Sequence, residues 1–316
     1  MLQVKERSGI TRTRKPFARF RKNWELLMLA IPGIGFFLIF NYVPMYGVLL
    51  PFRRYDARIG GLMGGEWVGL RNFEFLFRGG DAWRITRNTI VFNMIFITLG
   101  LIVAVIFALM LYELGARFVK AYQTVLFIPF FLSWVVVSYI GLSVLDMQHG
   151  ILNRIIEFFG GQPRLWYNTP RYWYVILPLA NLWKGVGFGT LIYYTTLIGI
   201  DPELYEASTL DGARKLQQIR YISLPLIKPI MIMLTLLAFG GMIRADFGLF
   251  FQFTRDSSML YPVTDVIDTY VFRALRQLGN IGMSAAAGFY QSVVGMITIL
   301  LANWAVRRFD KDSALF

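Results

Sequence analysis

Long apolar runs alternate with short polar interruptions along this chain. Runs long enough to cross a bilayer, about 20 residues each, recur at roughly 24–50, 89–114, 119–145, 173–199, 229–253 and 284–306. The pattern predicts an all-α integral membrane protein with six transmembrane helices. Pro32, Pro44, Pro129 and Pro178 fall inside these runs, where neighbouring helices re-satisfy freed backbone groups, so kinks or close helix approaches are expected there.

One interruption carries its own helix signals: "DPELYEASTLDGARKLQQIRYISLPLIK", residues 201–228. Asp201 suits an N-cap, Pro202 a first helical position and Glu203 the positive helix end. A short helix over about 202–211 follows, with Gly212 placed to end it. A second helix is expected over 213–223, stopping before Pro225. Leu216, Ile219 and Ile222 form its packing stripe, and Arg214, Lys215, Gln217, Gln218 and Arg220 lie away from it.

Composition narrows the function. Of 316 residues, 56% are hydrophobic, and 28 Phe, 16 Tyr and 8 Trp suit a lipid-facing surface with interfacial rings. The absence of Cys excludes disulfides, thiolate metal sites and Cys nucleophiles. With His149 as the single His, a His-based metal centre or triad is disfavoured; His149 itself reads as a plain loop residue. The net charge of +13 reflects cytoplasmic flanks rather than nucleic-acid binding. Lys5, Arg7, Arg12, Arg14, Lys15, Arg19, Arg21 and Lys22 face one acid, Glu6, in residues 1–23. That tail reads as cytoplasmic, and six spans then put both termini inside. Loops 51–88, 146–172 and 254–283 fall outside; 115–118 and 200–228 fall inside. The first run is too long for a signal h-region and is kept as a helix. By pattern the chain divides into a basic tail (1–23), a first helix with its external loop (24–84), a core of five spans (85–306) containing the loop 201–228, and a C-terminal tail (307–316).

Glu206, Ala207 and Ser208, then three residues, Gly212, nine residues, Ile222, one residue, Leu224 and Pro225 resemble the "EAA" signature of binding-protein-dependent ABC importer permeases. Ser208 stands where that signature commonly has Ala. "IPGIGFFLIFNYVPMYGVLLPF" (31–52), "FIPFFLSWVVV" (127–137), "LWKGVGFGTLIYYTTLIGIDPELYEAS" (182–208) and "DVIDTYVFR" (265–273) are similar to the carbohydrate branch, close to oligo- and polysaccharide permeases, alginate importers among them. The resemblance covers nearly the whole chain. It implies a type I importer fold in a bacterial cytoplasmic membrane, with 202–212 as a coupling helix in a cleft of one of two ABC ATPases. It further implies a second, different permease, an external solute-binding protein and a saccharide substrate. Asp201, Glu203, Tyr205, Glu206, Ala207, Ser208, Asp211, Gly212, Leu224 and Pro225 would serve ATPase coupling, with Glu206 facing the ATPase. ATP and Mg would bind the partner ATPase, with no cofactor in this chain. No G-x-x-x-x-G-K-[S/T], H-E-x-x-H or G-x-S-x-G occurs, so no catalytic or metal-binding residues are assigned.

Polar residues inside spans usually face a bundle interior or water. Asn93, Trp134, Ser138, Asn181, Trp183, Lys184, Arg244, Asp246 and Gln291 are therefore candidates for the substrate path, with interhelical bonding as the alternative for each. Lys184 and Arg244 would suit an acidic saccharide such as alginate, unless paired. Asp265, Asp268, Arg273 and Arg276 mark a short external helix within 265–280, read either as a docking surface for the binding protein or as a solvated cap. Trp166, Tyr167, Tyr172 and Trp173 read as an interfacial belt. An ion-gradient-driven secondary transporter is the competing function, but it calls for internal repeats that the two halves do not show. A membrane enzyme built on Asp265 and Asp268 is a third reading.

Overall fold

The computed structural model describes residues 24–55, 65–74, 80–277 and 279–309. The tail 1–23 and the end of the C-terminal tail lie outside the described residues. The chain separates into two units, Met1–Leu50 and Pro51–Phe316. In the first, α1 (Trp24–Phe37) runs on into a π turn, Leu38–Tyr42. Pro44 cannot donate to the carbonyl four residues back, so the ladder changes register there. The continuous apolar helix Met28–Phe52 is long enough to cross a membrane.

Helices longer than four residues are numbered onward through the second unit: α2 (Asp81–Glu113), α3 (Ala116–Phe131), α4 (Trp134–Leu145), α5 (Ile151–Phe158), α6 (Pro170–Ile198), α7 (Pro202–Leu210), α8 (Leu224–Gly240), α9 (Ile267–Arg276) and α10 (Ile281–Phe309). Among the described residues five helices are long and apolar enough to span, or six if the bent pair α3–α4 is counted as one. α2 and α6 run parallel and share two apolar clusters. Phe92 joins Trp173, Leu177 and Phe250 at one end. Ala104 and Ala108 join Val186, Tyr193, Leu197 and Ile227 at the other.

Several expected boundaries move. The second span starts at Asp81, not 89, because Asp81 favours the positive end of a helix and the polar first turn packs against α9. The third span is not one helix: α3 and α4 meet at 100°. Pro129 weakens the last turn of α3, Leu132 and Ser133 are extended, and Ser133 Oγ accepts from Val136 N–H at 3.3 Å to restart the helix.

The fifth span runs over Lys215–Gly240 instead of 229–253. Gly240 and Gly241 end it, and 241–246 is non-helical before a π turn at Gly248–Phe253. The second loop helix does not stop at Pro225 either. A π turn at Ile219–Ser223 widens the ladder just where proline withholds its N–H, and the chain passes into α8. The same turn shifts the packing face. Leu216 is 76% exposed, whereas Gln218 and Ser223 are buried.

The segment 146–172 is more ordered than a loop. Buried Asn153 on α5 donates to the carbonyls of Met147 and Arg164, both at 3.0 Å, and accepts from Arg164 N–H and Trp166 Nε1. Trp173 belongs to the core and not to an interfacial belt: it is fully buried, and its indole donates to the Trp166 carbonyl at 2.8 Å.

α3 and α6 touch backbone to backbone at Gly187, where a Cβ would run into the Leu126 carbonyl; nothing lies within 4 Å of a Cβ at Gly185. Gly187→Val should cost about 1–3 kcal/mol by overpacking. Thermal melting of the purified chain should show a lowered midpoint for Gly187→Val and none for Gly185→Val.

Candidate functional site

The polar interruption forms a surface helix fixed at both ends and from beneath. The Asp201 carboxylate accepts from Glu203 N–H at 3.0 Å, and Pro202 occupies the first turn. At the other end Gly212 takes φ +78°. Its N–H donates to the Thr209 carbonyl at 3.0 Å, and Ala213 N–H donates to the Ser208 carbonyl at 2.9 Å. This paired closure satisfies carbonyls that α7 leaves open. The Gln218 side chain, from the turn beneath, donates to the Tyr205 carbonyl at 3.2 Å and to the Ser208 and Thr209 hydroxyls at 2.9 and 3.0 Å.

The ten residues of this loop singled out in the sequence divide by direction. Tyr205 points inward: its hydroxyl pairs with that of Ser223 at 3.0 Å and its ring lies 5.6 Å from Tyr112. Leu224 packs on the same apolar cluster, and Ser208 is half-buried. Asp201, Glu203, Glu206, Ala207, Asp211, Gly212 and Pro225 are exposed. Leu210, beside them, is 91% exposed. Sequence reading missed Gln218, Ser223 and Tyr112. Gln218 carried a signal: an amide in a lipid-bordering helix needs partners.

The polar residues expected along a path gather at the two helix breaks. Lys184, half-buried on α6, donates Nζ to the Phe130 carbonyl at 2.9 Å and lies 5.6 and 5.5 Å from the Phe130 and Trp134 rings. It thus caps α3, where a cation is favoured. Trp134 Nε1 donates to Asp246 Oδ2 at 2.6 Å, while Asp246 Oδ1 accepts from Gly248 and Leu249 N–H at 2.9 and 3.2 Å. Asn93 donates to the carbonyls of Met242 and Arg244 at 2.9 and 3.2 Å, and Gln291 to that of Ile243 at 2.8 Å. These groups bond the backbone of 241–249. Arg244 is exposed in this non-helical segment rather than inside a span, and it is not paired with Asp246. Asn181 lines a cleft between α2, α6 and α8 with a volume of ≈ 290 Å³, Trp183 is exposed, and Ser138 donates to the Val135 carbonyl at 2.8 Å.

The region 265–280 holds a helix, α9, and three of its four charges, Asp265, Asp268 and Arg273, turn inward, while Arg276 is exposed. Asp265 is almost fully buried and ion-paired with Arg84 at 3.0 Å and with Arg273, which also holds Asp256 at 2.9 Å. Asp268 accepts from Ala245 N–H at 2.7 Å and from Gln291 at 3.1 Å. Burial pushes the Asp268 carboxyl above its usual range, against those donors. Tyr167, whose hydroxyl is buried, is pushed up to about 12 by burial. His149 is an exposed loop residue whose N–H donates to Asp146 at 2.8 Å.

Comparison with known proteins gives this geometry a context. Residues 97–311 match the family described as "Binding-protein-dependent transport system inner membrane component". The polygalacturonan/rhamnogalacturonan transport system permease protein YteP of Bacillus subtilis is 33% identical over 288 residues, covering 91% of this chain and 89% of that protein. The trehalose/maltose transport system permease protein MalF of Thermococcus litoralis is 26% identical over 286 residues, covering 90% and 94%. A chain of a bacterial alginate ABC transporter, solved in complex with an alginate pentasaccharide-bound periplasmic protein, superposes with a TM-score of 0.84 at 28% identity, over 94% of this chain and 98% of that one. The chain therefore belongs to the binding-protein-dependent transport system inner membrane components, the multi-pass permease subunits of ABC importers.

Proposed function

We propose that this chain imports an acidic oligo- or polysaccharide, forming the path with a second, different permease and driven by ATP that a partner ATPase binds with Mg. A periplasmic solute-binding protein delivers the saccharide. The observation that carries the coupling is α7 itself. It is anchored through Tyr205 and Gln218, yet it leaves Leu210 91% exposed beside Glu203, Glu206 and Asp211. An exposed apolar side chain on a rigidly held acidic helix fits a partner surface that is apolar at its centre and basic at its rim. On this reading α7 faces the cytoplasm, with both termini on that side. Two relatives support the acidic class: YteP is named for polygalacturonan and rhamnogalacturonan, and the alginate transporter for an acidic polysaccharide.

Lys184 and Asp246 serve this function by holding the breaks and not as free charges for substrate. Their bonds keep the irregular backbone satisfied inside the bundle, which is tolerated at membrane depth only where protein or a water-filled cavity surrounds it.

Leu210→Asp should weaken ATPase binding about tenfold or more, the loss of one buried leucine, without lowering the melting midpoint of the chain. Gly212→Pro, which cannot adopt φ +78°, should abolish co-purification with the ATPase. Undiminished binding in both variants would remove α7 from the interface. In proteoliposomes holding the whole assembly, uronate oligomers should stimulate ATP hydrolysis and neutral oligomers of equal length should not. Stimulation by neutral sugars alone would refute the acidic class.

A further inference from the structure

At the end of the bundle away from α7, the turn that follows the π turn of Gly248–Phe253 is built with unsuitable residues. Arg255 and Asp256 both take positive φ, +58° and +45°. Glycine occupies the other four such positions, Gly69, Gly160, Gly212 and Gly279, among the described residues. A left-handed conformation is unfavourable for residues with a Cβ, and strain of this kind persists where a side chain has a use.

The use of Asp256 is visible. Its carboxylate accepts from Arg273 at 2.9 Å and from the Tyr261 hydroxyl at 3.2 Å. Arg255 has no such explanation. Its side chain is exposed and makes no hydrogen bond or ion pair among the described residues. It lines a cleft of ≈ 300 Å³ with Ser138, Tyr139, Phe251, Gln252 and Asp256. Tyr139 is 66% exposed, and neither its hydroxyl nor the Gln252 amide is hydrogen-bonded among the described residues. Ser138 spends its proton on the Val135 carbonyl and keeps its oxygen as an acceptor.

The cleft thus combines an aromatic face, a neutral amide, a hydroxyl acceptor and one unpaired guanidinium. Sugar rings stack on aromatic faces, amides bond hydroxyls, and a guanidinium binds a carboxylate through two parallel bonds. We infer that this cleft is an entry subsite for one uronate residue, with Arg255 on its carboxylate and Tyr139 against its ring. The inference rests on the acidic-saccharide reading above and adds a place and a residue to it. Asp256, which also lines the cleft, is held by Arg273 and the Tyr261 hydroxyl, whereas Arg255 makes no hydrogen bond or ion pair among the described residues.

The test is equilibrium titration of the nanodisc-embedded complex of this chain with its partner permease and ATPase, without binding protein. Tetragalacturonate is the probe and maltotetraose the neutral control. Arg255→Gln should weaken tetragalacturonate binding tenfold or more, the scale of one charge-assisted hydrogen bond, and leave maltotetraose unchanged. Arg255→Gly should lose binding likewise while raising the melting midpoint by about 2 °C, because glycine relieves the turn. Equal tetragalacturonate binding by wild type and Arg255→Gln overturns the subsite, as does a wild-type complex that imports uronate oligomers with binding protein yet binds none without it. In both cases the acidic reading stands. A wild-type assembly that neither binds nor imports uronates removes both. Loss of neutral and acidic import together, with binding unchanged, would make Arg255 a binding-protein contact and also overturn the proposal.

Discussion

A bilayer offers no water to a stray N–H or carbonyl, and this chain breaks its helices twice within apolar segments. The rest of the second unit is arranged around satisfying those breaks. At the α3–α4 corner, Lys184 closes the Phe130 carbonyl and Ser133 restarts the ladder at Val136. Along 241–249, Asn93, Gln291, Asp268 and Asp246 together bond six backbone groups. Trp134 links the two breaks through its indole N–H on Asp246. Lys184 from α6 thus stands in for solvent at the 100° corner, and side chains from α2, α9 and α10 do so at 241–249.

That constraint explains how much of the molecule was legible in its sequence. Apolar run length identified the spans, and the caps Asp201 and Gly212 placed α7 within a residue, because both signals are local. Breaks are not local. Nothing between Phe127 and Val137 shows that Lys184, more than fifty residues on, will hold a carbonyl there. The polar residues in spans were visible as costly, but their two possible uses, lining a path or repairing backbone, have the same composition. Asn93, Gln291 and Lys184 turn out to bond backbone. Asp265 illustrates the same point at the bundle end: an acid in a polar stretch reads as exposed until Arg84 and Arg273 are seen to enclose it.

The charged layer around Asp265 and the clamp around α7 lie at opposite ends of the same long helices and differ in kind. One is a buried ion network, costly to form and costly to open, since removing one partner strands the other. The other is a set of neutral hydrogen bonds under an exposed face, which holds the shape of α7 and leaves its outer side open. The first suits a fixed frame and the second a surface that receives a neighbour.

The π turn at Ile219–Ser223 has a consequence for how this protein tolerates change in length. It holds one residue more than a regular helix would need. Removing that residue would restore an ordinary ladder but rotate everything before it by about 100° about the axis. Tyr205 would then swing clear of the Ser223 hydroxyl and the Tyr112 ring. The aim of the whole surface helix is therefore set by a count of residues as much as by their identity, and single deletions here would do more harm than most substitutions.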